Sequence, residues 1–209
     1  MNLDLFVDTS RKGISMAICA DSVYEEIVDP SGKGEVLSAS LDSLLTKVNA
    51  TLDDVKRVMV TVGPGSFSGL RTGVAFCQGL CFSGKRNLYG VTTLQALACF
   101  AGAIDNSVAV VIRARNGFWY LRIDGEENFI ETEDVIARLK ASSIQKAVVD
   151  QAALDDQALS AVFAELGIST TLDTGKPLRM WSPLFETVKP SLIQEANYIQ
   201  PSYFEKLKV

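Results

Sequence analysis

Gly63-Pro64-Gly65-Ser66-Phe67-Ser68-Gly69-Leu70-Arg71-Thr72-Gly73 is the stretch on which the fold turns. Before it, Val58-Met59-Val60-Thr61-Val62 has the apolar, β-branched character of a buried strand; after it, Val74 to Phe82 reads as helix. A strand, a glycine-rich turn and a helix start gather unpaired backbone N–H groups at one spot, backed by the positive end of the helix dipole. Pro64 fixes one φ, whereas Gly63, Gly65 and Gly69 admit backbone conformations that side chains forbid. Ser66 or Ser68 is placed to cap the helix. A tight turn into a helix explains the run equally well. It is neither a Walker loop nor a dinucleotide fingerprint, because no G-K-[ST] or G-x-G-x-x-G follows the strand.

Working outward, Leu3 to Asp8 reads as a buried strand, Ile14 to Ala20 as its hairpin partner and Val23 to Val28 as a third antiparallel strand. From Glu35 to Val48, Leu37, Leu41, Leu44, Leu45 and Val48 recur at helical spacing. Strand 57–62 and helix 68–83 follow, then strand 87–91, helix 92–103 and strand 108–112. Residues 117–123 and 128–130 flank the hairpin turn Asp124-Gly125. Helix 132–140, strand 144–149, helix 153–166 and strand 168–172 complete the alternation. Beyond Asp173 the chain is irregular, with a helix expected near 190–196. Antiparallel strands followed by alternating helices and strands predict an α/β chain with mixed sheets.

Composition narrows the chemistry. The 209 residues are 47% hydrophobic, which is a globular balance, and the formal net charge of −5 argues against a chain that grips a nucleic-acid backbone unaided. No histidine is present, so His-based general-base catalysis, Ser-His triads and His-ligated metals are excluded. Cys19, Cys77, Cys81 and Cys99 form no C-x-x-C pair and sit among apolar neighbours, as buried reduced thiols would. The first residues lack the basic-then-apolar pattern of a signal peptide and no apolar run is long enough for a bilayer, so a cytoplasmic protein without membrane contact is expected.

In helix 68–83, Gly69 and Gly73, and likewise Ala75 and Gly79, lie four residues apart and strip bulk from two rows. Such rows let a second helix approach closely, or serve the chain's own sheet. We expect a partner surface of about 800 Å² on the two helices, through Leu37, Leu41, Leu44, Leu70, Arg71, Val74, Ala75, Gln78, Gly79 and Phe82.

The same stretch, with Gln78-Gly79-Leu80 and Gly90-Val91-Thr92-Thr93-Leu94, closely resembles the TsaB family, which acts in making N6-threonylcarbamoyladenosine on transfer RNA. Asp8-Thr9-Ser10, Arg113-Ala114-Arg115-Asn116-Gly117-Phe118-Trp119-Tyr120 and Pro201-Ser202-Tyr203-Phe204 also match, in order along the chain. The resemblance implies the two-lobed actin-like ATPase (ribonuclease H-like) fold, with lobes 1–104 and 105–209. It implies a non-catalytic subunit without a cofactor. Its partners would be TsaD in a heterodimer, TsaE, a second copy when TsaD is absent, and tRNA only through the complex. Asp8, Thr9 and Ser10 resemble the first phosphate motif of that fold, but no second acidic phosphate hairpin follows. Arg113 stands where the family carries an acid, and Gly32-Lys33-Gly34-Glu35 replaces a frequent histidine. TsaD's His-x-x-x-His metal pair is missing. An alternative is a small-molecule kinase that uses Asp8 and the loop Gly63, Pro64, Gly65, Ser66 and Gly69. Arg113 and Arg115 could bind an anion or satisfy nearby carbonyls, and Trp119 and Tyr120 read as core.

Overall fold

The computed structural model describes residues 1–20, 22–102, 106–115, 117–175 and 177–199. Pro201-Ser202-Tyr203-Phe204, Asn116 and the expected lobe boundary at residue 104 lie outside the described residues.

The chain forms two compact units. The first contains Met1–Ala96 and Pro177–Asn197, and the second contains Leu97–Lys176. Residues 177–197, expected with the second lobe, therefore return to the first. Its sheet has the order β3-β2-β1-β4-β5, from β1 (Leu3–Asp8), β2 (Ile14–Ala20), β3 (Val23–Asp29), β4 (Val55–Gly63) and β5 (Asn87–Thr92). β2 is antiparallel to β1 and β3, whereas β1, β4 and β5 run parallel.

Both faces of this sheet are apolar, so both need a cover. On one, Leu5, Val7, Met16, Ile18, Val58 and Val60 pack with α1 (Leu37–Lys47) and α2 (Phe67–Cys81). On the other, Phe6 lies 6.4 Å from Trp181 and 5.5 Å from Phe185, and Tyr89 lies 4.8 Å from Phe185. Trp181 and Phe185 belong to a 3-10 helix, Leu178–Glu186, in the stretch read as irregular. Arg57 bridges Asp4 through two 2.7 Å hydrogen bonds and covers the Phe185 ring at 4.2 Å. Residues 190–196 are not helical. They form a strap beside β5 and the end of β4, with Ser191 N–H donating to Leu88 O and Asn197 N–H to Val62 O.

The second unit repeats the topology. β6 (Val108–Arg115), β7 (Phe118–Ile123) and β8 (Glu126–Glu131) form an antiparallel meander, and β9 (Lys146–Val149) and β10 (Ser169–Leu172) extend it in parallel, in the order β10-β9-β6-β7-β8. Numbered within its own unit, each sheet is 3-2-1-4-5 with the second strand reversed, the ribonuclease H-like arrangement whose doubling marks the actin-like fold. Between the units in sequence lies α3 (Thr93–Phe100), and the division falls within it. α4 (Thr132–Ala141), α5 (Gln151–Asp155) and α6 (Gln157–Glu165) share the second core with Trp119, Leu121 and Val149. The helix expected over 153–166 is two helices. Asp156 ends the first and caps the second, accepting from Ala158 and Leu159 N–H at 3.1 Å.

Candidate functional site

Two neighbouring features of the first unit hold most of the predicted site residues: the contact between the Asp8-Thr9-Ser10 turn and the glycine-rich loop, and the outward face of α2.

Asp8 ends β1, and its Oδ1 accepts from Ser10 N–H at 2.9 Å, Ser10 Oγ–H at 2.7 Å and the buried Thr61 hydroxyl at 2.8 Å. That oxygen is occupied with holding the turn and tying β1 to β4. The glycine-rich loop closes on the same turn. Ser66 N–H donates to Ser10 O at 2.7 Å, and Ser66 Oγ caps α2 by accepting from Gly69 N–H at 3.3 Å. A Cβ on Gly65 would overlap Ser10 O, one on Gly69 would overlap Thr9 O, and one on Gly73 would overlap the Thr9 hydroxyl. Gly63, at φ +119°, adopts a conformation that L side chains avoid and leaves room for Asn197 O. With Pro64 buried between them, these glycines let loop, turn and strap meet.

The two small rows of α2 thus do different things. Gly69 and Gly73 serve the chain's own turn. Ala75 and Gly79 face outward, and a Cβ on Gly79 would meet nothing within 4 Å. Phe67, Arg71, Ala75, Gln78, Gly79 and Phe82 fall on one helical face. Phe67 is 59% exposed and Phe82 81%. The Arg71 guanidinium lies 5.5 Å from the Phe67 ring centre. Gln78 Nε2–H donates to Leu192 O at 3.2 Å and Gln194 O at 3.3 Å, which brings the strap alongside. The strap adds Leu192, 42% exposed, and Ile193, 75% exposed.

The expected partner surface is corrected on this point. Leu37, Leu41 and Leu44 of α1, with Leu70 and Val74 of α2, are buried in the chain's own core. The α1 positions turned outward include Ser38, Asp42, Ser43 and Thr46. A leucine spacing marks a helix's apolar face but does not say which layer covers it, and here that layer is the chain's own sheet. Phe67, Leu192 and Ile193 were absent from the expected surface. The Leu192-Ile193 pair in a polar, proline-broken tail was the available signal for the last two.

In the second unit, Trp119 is fully buried and its Nε1–H donates to Thr132 Oγ1 at 2.9 Å. Tyr120 is also buried, and burial raises its hydroxyl pKa. The Arg113 guanidinium covers the Trp119 ring at 4.1 Å, and Arg115 lies 5.2 Å from Phe118 and 4.9 Å from Phe129. Among the described residues, no helix is long and apolar enough to cross a membrane.

Comparison with known proteins adds three likenesses. A family described as "TsaD: tRNA N6-adenosine threonylcarbamoyltransferase" matches residues 34–172. The "tRNA threonylcarbamoyladenosine biosynthesis protein TsaB" of Escherichia coli (strain K12) is 28% identical over 141 residues, 63% of this chain and 61% of that protein. Its Bacillus subtilis (strain 168) namesake is 29% identical over 119 residues, 56% and 52% of the respective chains. The match therefore spans little more than half the length of these relatives. A Pseudomonas aeruginosa crystal structure, described as similar to peptidase YeaZ, superposes with a TM-score of 0.70 at 20% identity, over 96% of this chain and 100% of that one.

Proposed function

The chain belongs to the TsaB branch of the family described as tRNA N6-adenosine threonylcarbamoyltransferase, and on that premise we propose that it is a non-catalytic subunit of the assembly that makes N6-threonylcarbamoyladenosine on tRNA. In this reading it pairs with TsaD through the outward face of α2, holds TsaD in its active form and lets TsaE dock. A threonylcarbamoyl group then passes from its adenylate to N6 of the adenosine beside the anticodon. The contribution of this chain is binding energy and geometry, with tRNA reached only through the complex. In isolation the same face would pair two copies.

One observation carries the reading: Phe67 and Phe82 stand exposed at either end of an α2 face that carries Ala75 and an unobstructed Gly79 between them. Two exposed aromatics flanking a low row suit a second helix laid across the row, and desolvation of the rings would supply the binding energy. The kinase alternative requires Asp8 to serve a phosphate or its cation, yet Asp8 Oδ1 already accepts three hydrogen bonds from the chain itself.

The test is tRNA modification reconstituted with TsaD, TsaE and this chain, each omitted in turn. Product should collapse without this chain and return with it, and full activity without it would overturn the reading. ATP turnover by the chain alone, lost in Asp8→Ala, would establish the kinase instead.

A further inference from the structure

Residues 191–194 of the strap are neither helix nor strand, yet every carbonyl of the stretch accepts a hydrogen bond from a side chain. Gln194 Nε2–H donates to Ser191 O at 2.8 Å, and Ser191 Oγ–H donates to Ile193 O at 3.0 Å. The two remaining carbonyls, Leu192 O and Gln194 O, both accept from Gln78 Nε2–H, at 3.2 and 3.3 Å. Ser191 N–H anchors the start of the stretch on Leu88 O at 2.8 Å. A Cβ on Gly90 would overlap Gln194 Oε1, so β5 makes room for the Gln194 amide by lacking a side chain there. The backbone is fixed, and the fixing is done by polar side chains.

What this loop carries is apolar. Leu192 is 42% exposed and Ile193 75%, and Pro190-Ser191-Leu192-Ile193-Gln194 contains no charge. Burying such side chains is favourable, and an untethered tail is free to turn them inward. Here the hydrogen bonds hold them in water instead. Among the described residues the exposed large apolar side chains are Met1, Val28, Phe67, Phe82, Leu192 and Ile193. Four of these six belong to α2 and the strap, the two elements that Gln78 ties together. Apolar side chains concentrated in this way mark an interaction surface.

We infer that Gln78 is a positioning residue for the partner face: its amide holds loop 191–194 so that Leu192 and Ile193 enter an uncharged, apolar pocket on the protein that covers α2. The inference rests on the reading above, in which that protein is TsaD. An amide suits the task because its NH₂ carries two hydrogens, one for each carbonyl. The partner then reads two segments that lie 114 residues apart at Gln78 and Leu192.

Calorimetric titration of the full chain with TsaD tests this. Leu192→Ser combined with Ile193→Ser should weaken the complex about tenfold or more, because the apolar surface that binding removes from water is gone. Gln78→Glu keeps the size of the side chain but replaces the donor with a carboxylate oxygen, and it should weaken the complex about tenfold by releasing the loop. Added to the double serine variant, Gln78→Glu should cost little more, since nothing is left for it to position. Thermal unfolding of each variant controls for folding. An equal cost of Gln78→Glu in both backgrounds would give Gln78 a direct or merely structural role and overturn the assignment. TsaD affinity unchanged in the double serine variant overturns the inference and leaves the α2 reading standing. If that variant weakens only the pairing of the chain with itself, the loop serves a second copy and the inference again fails. No complex with the unaltered chain sinks both readings.

Discussion

Gly79→Leu separates the fold of this chain from its assembly. A Cβ at Gly79 meets no atom within 4 Å, so the leucine extends into open space and disturbs no packing in the chain. Glycine is about 0.5–1 kcal/mol worse than leucine in a helix, and the lower end applies here because Gly79 lies in the last turn of α2. For a chain of this size that gain raises the thermal midpoint by about 1–2 °C. On the partner side the sign reverses. A leucine in a row where a second helix must approach overpacks the contact by about 1–3 kcal/mol, a loss of roughly 5- to 150-fold in affinity. Thermal unfolding of the isolated chain reads the first effect. Sedimentation or titration calorimetry with TsaD, the partner proposed above, and of the chain against itself, reads the second. A lowered midpoint would mean that Gly79 is enclosed by its own chain, and an unchanged affinity would place the partner elsewhere.

Three further outcomes follow from the same geometry. Gly73→Ala puts its Cβ against the Thr9 side chain and should destabilise by about 1–3 kcal/mol in urea unfolding, opposite in sign to the Gly79 change; a gain in stability would contradict the packing of α2 on the turn. Asp8→Ala leaves the buried Thr61 hydroxyl and Ser10 without their acceptor and should cost about 1–3 kcal/mol, with tRNA modification falling only as far as folding does; a lost phosphoryl transfer in a fully folded variant would show the carboxylate to be chemical. Burial raises the thiol pKa of Cys77, and pushes Cys81 and Cys99 up to about 11. The native state therefore holds these protons more tightly than the unfolded chain. The corresponding stability is whole below pH 9, about where unfolded thiols ionise, and is lost as pH rises toward 11. Ellman's reagent at pH 8 should find only Cys19 reactive in the native protein, and rapid reaction of two or more thiols would refute the buried assignment.

Local signals fixed much of the fold before any tertiary contact was known. The β1–β3 meander was legible because its alternation and turns are written within 27 consecutive residues, Leu3–Asp29. Asp124-Gly125, at φ +52° and +83°, makes the hairpin turn that its residue types demand. The helix break at Asp156 was missed because an aspartate inside an apolar-periodic run is an ordinary surface residue until its carboxylate turns back as a cap. The α1 leucines lie inside for a related reason: spacing names the apolar stripe of a helix but leaves open whether sheet or partner covers it.

Determined by the sequence alone were the strand–loop–α2 unit, the mixed α/β class, the absence of any imidazole and the likeness to TsaB, because each resides in neighbouring residues or in a residue type. Only the tertiary structure decided that two sheets share one strand order, which leaves no repeat in the letters because packing constrains topology more tightly than side-chain identity. It also sent Leu178–Glu186 back past the whole intervening segment Leu97–Lys176 to roof the far face of the first sheet. And it divided the glycines of α2 into those that admit Thr9 and the one that faces open space, a distinction set by which atoms arrive from elsewhere in the chain.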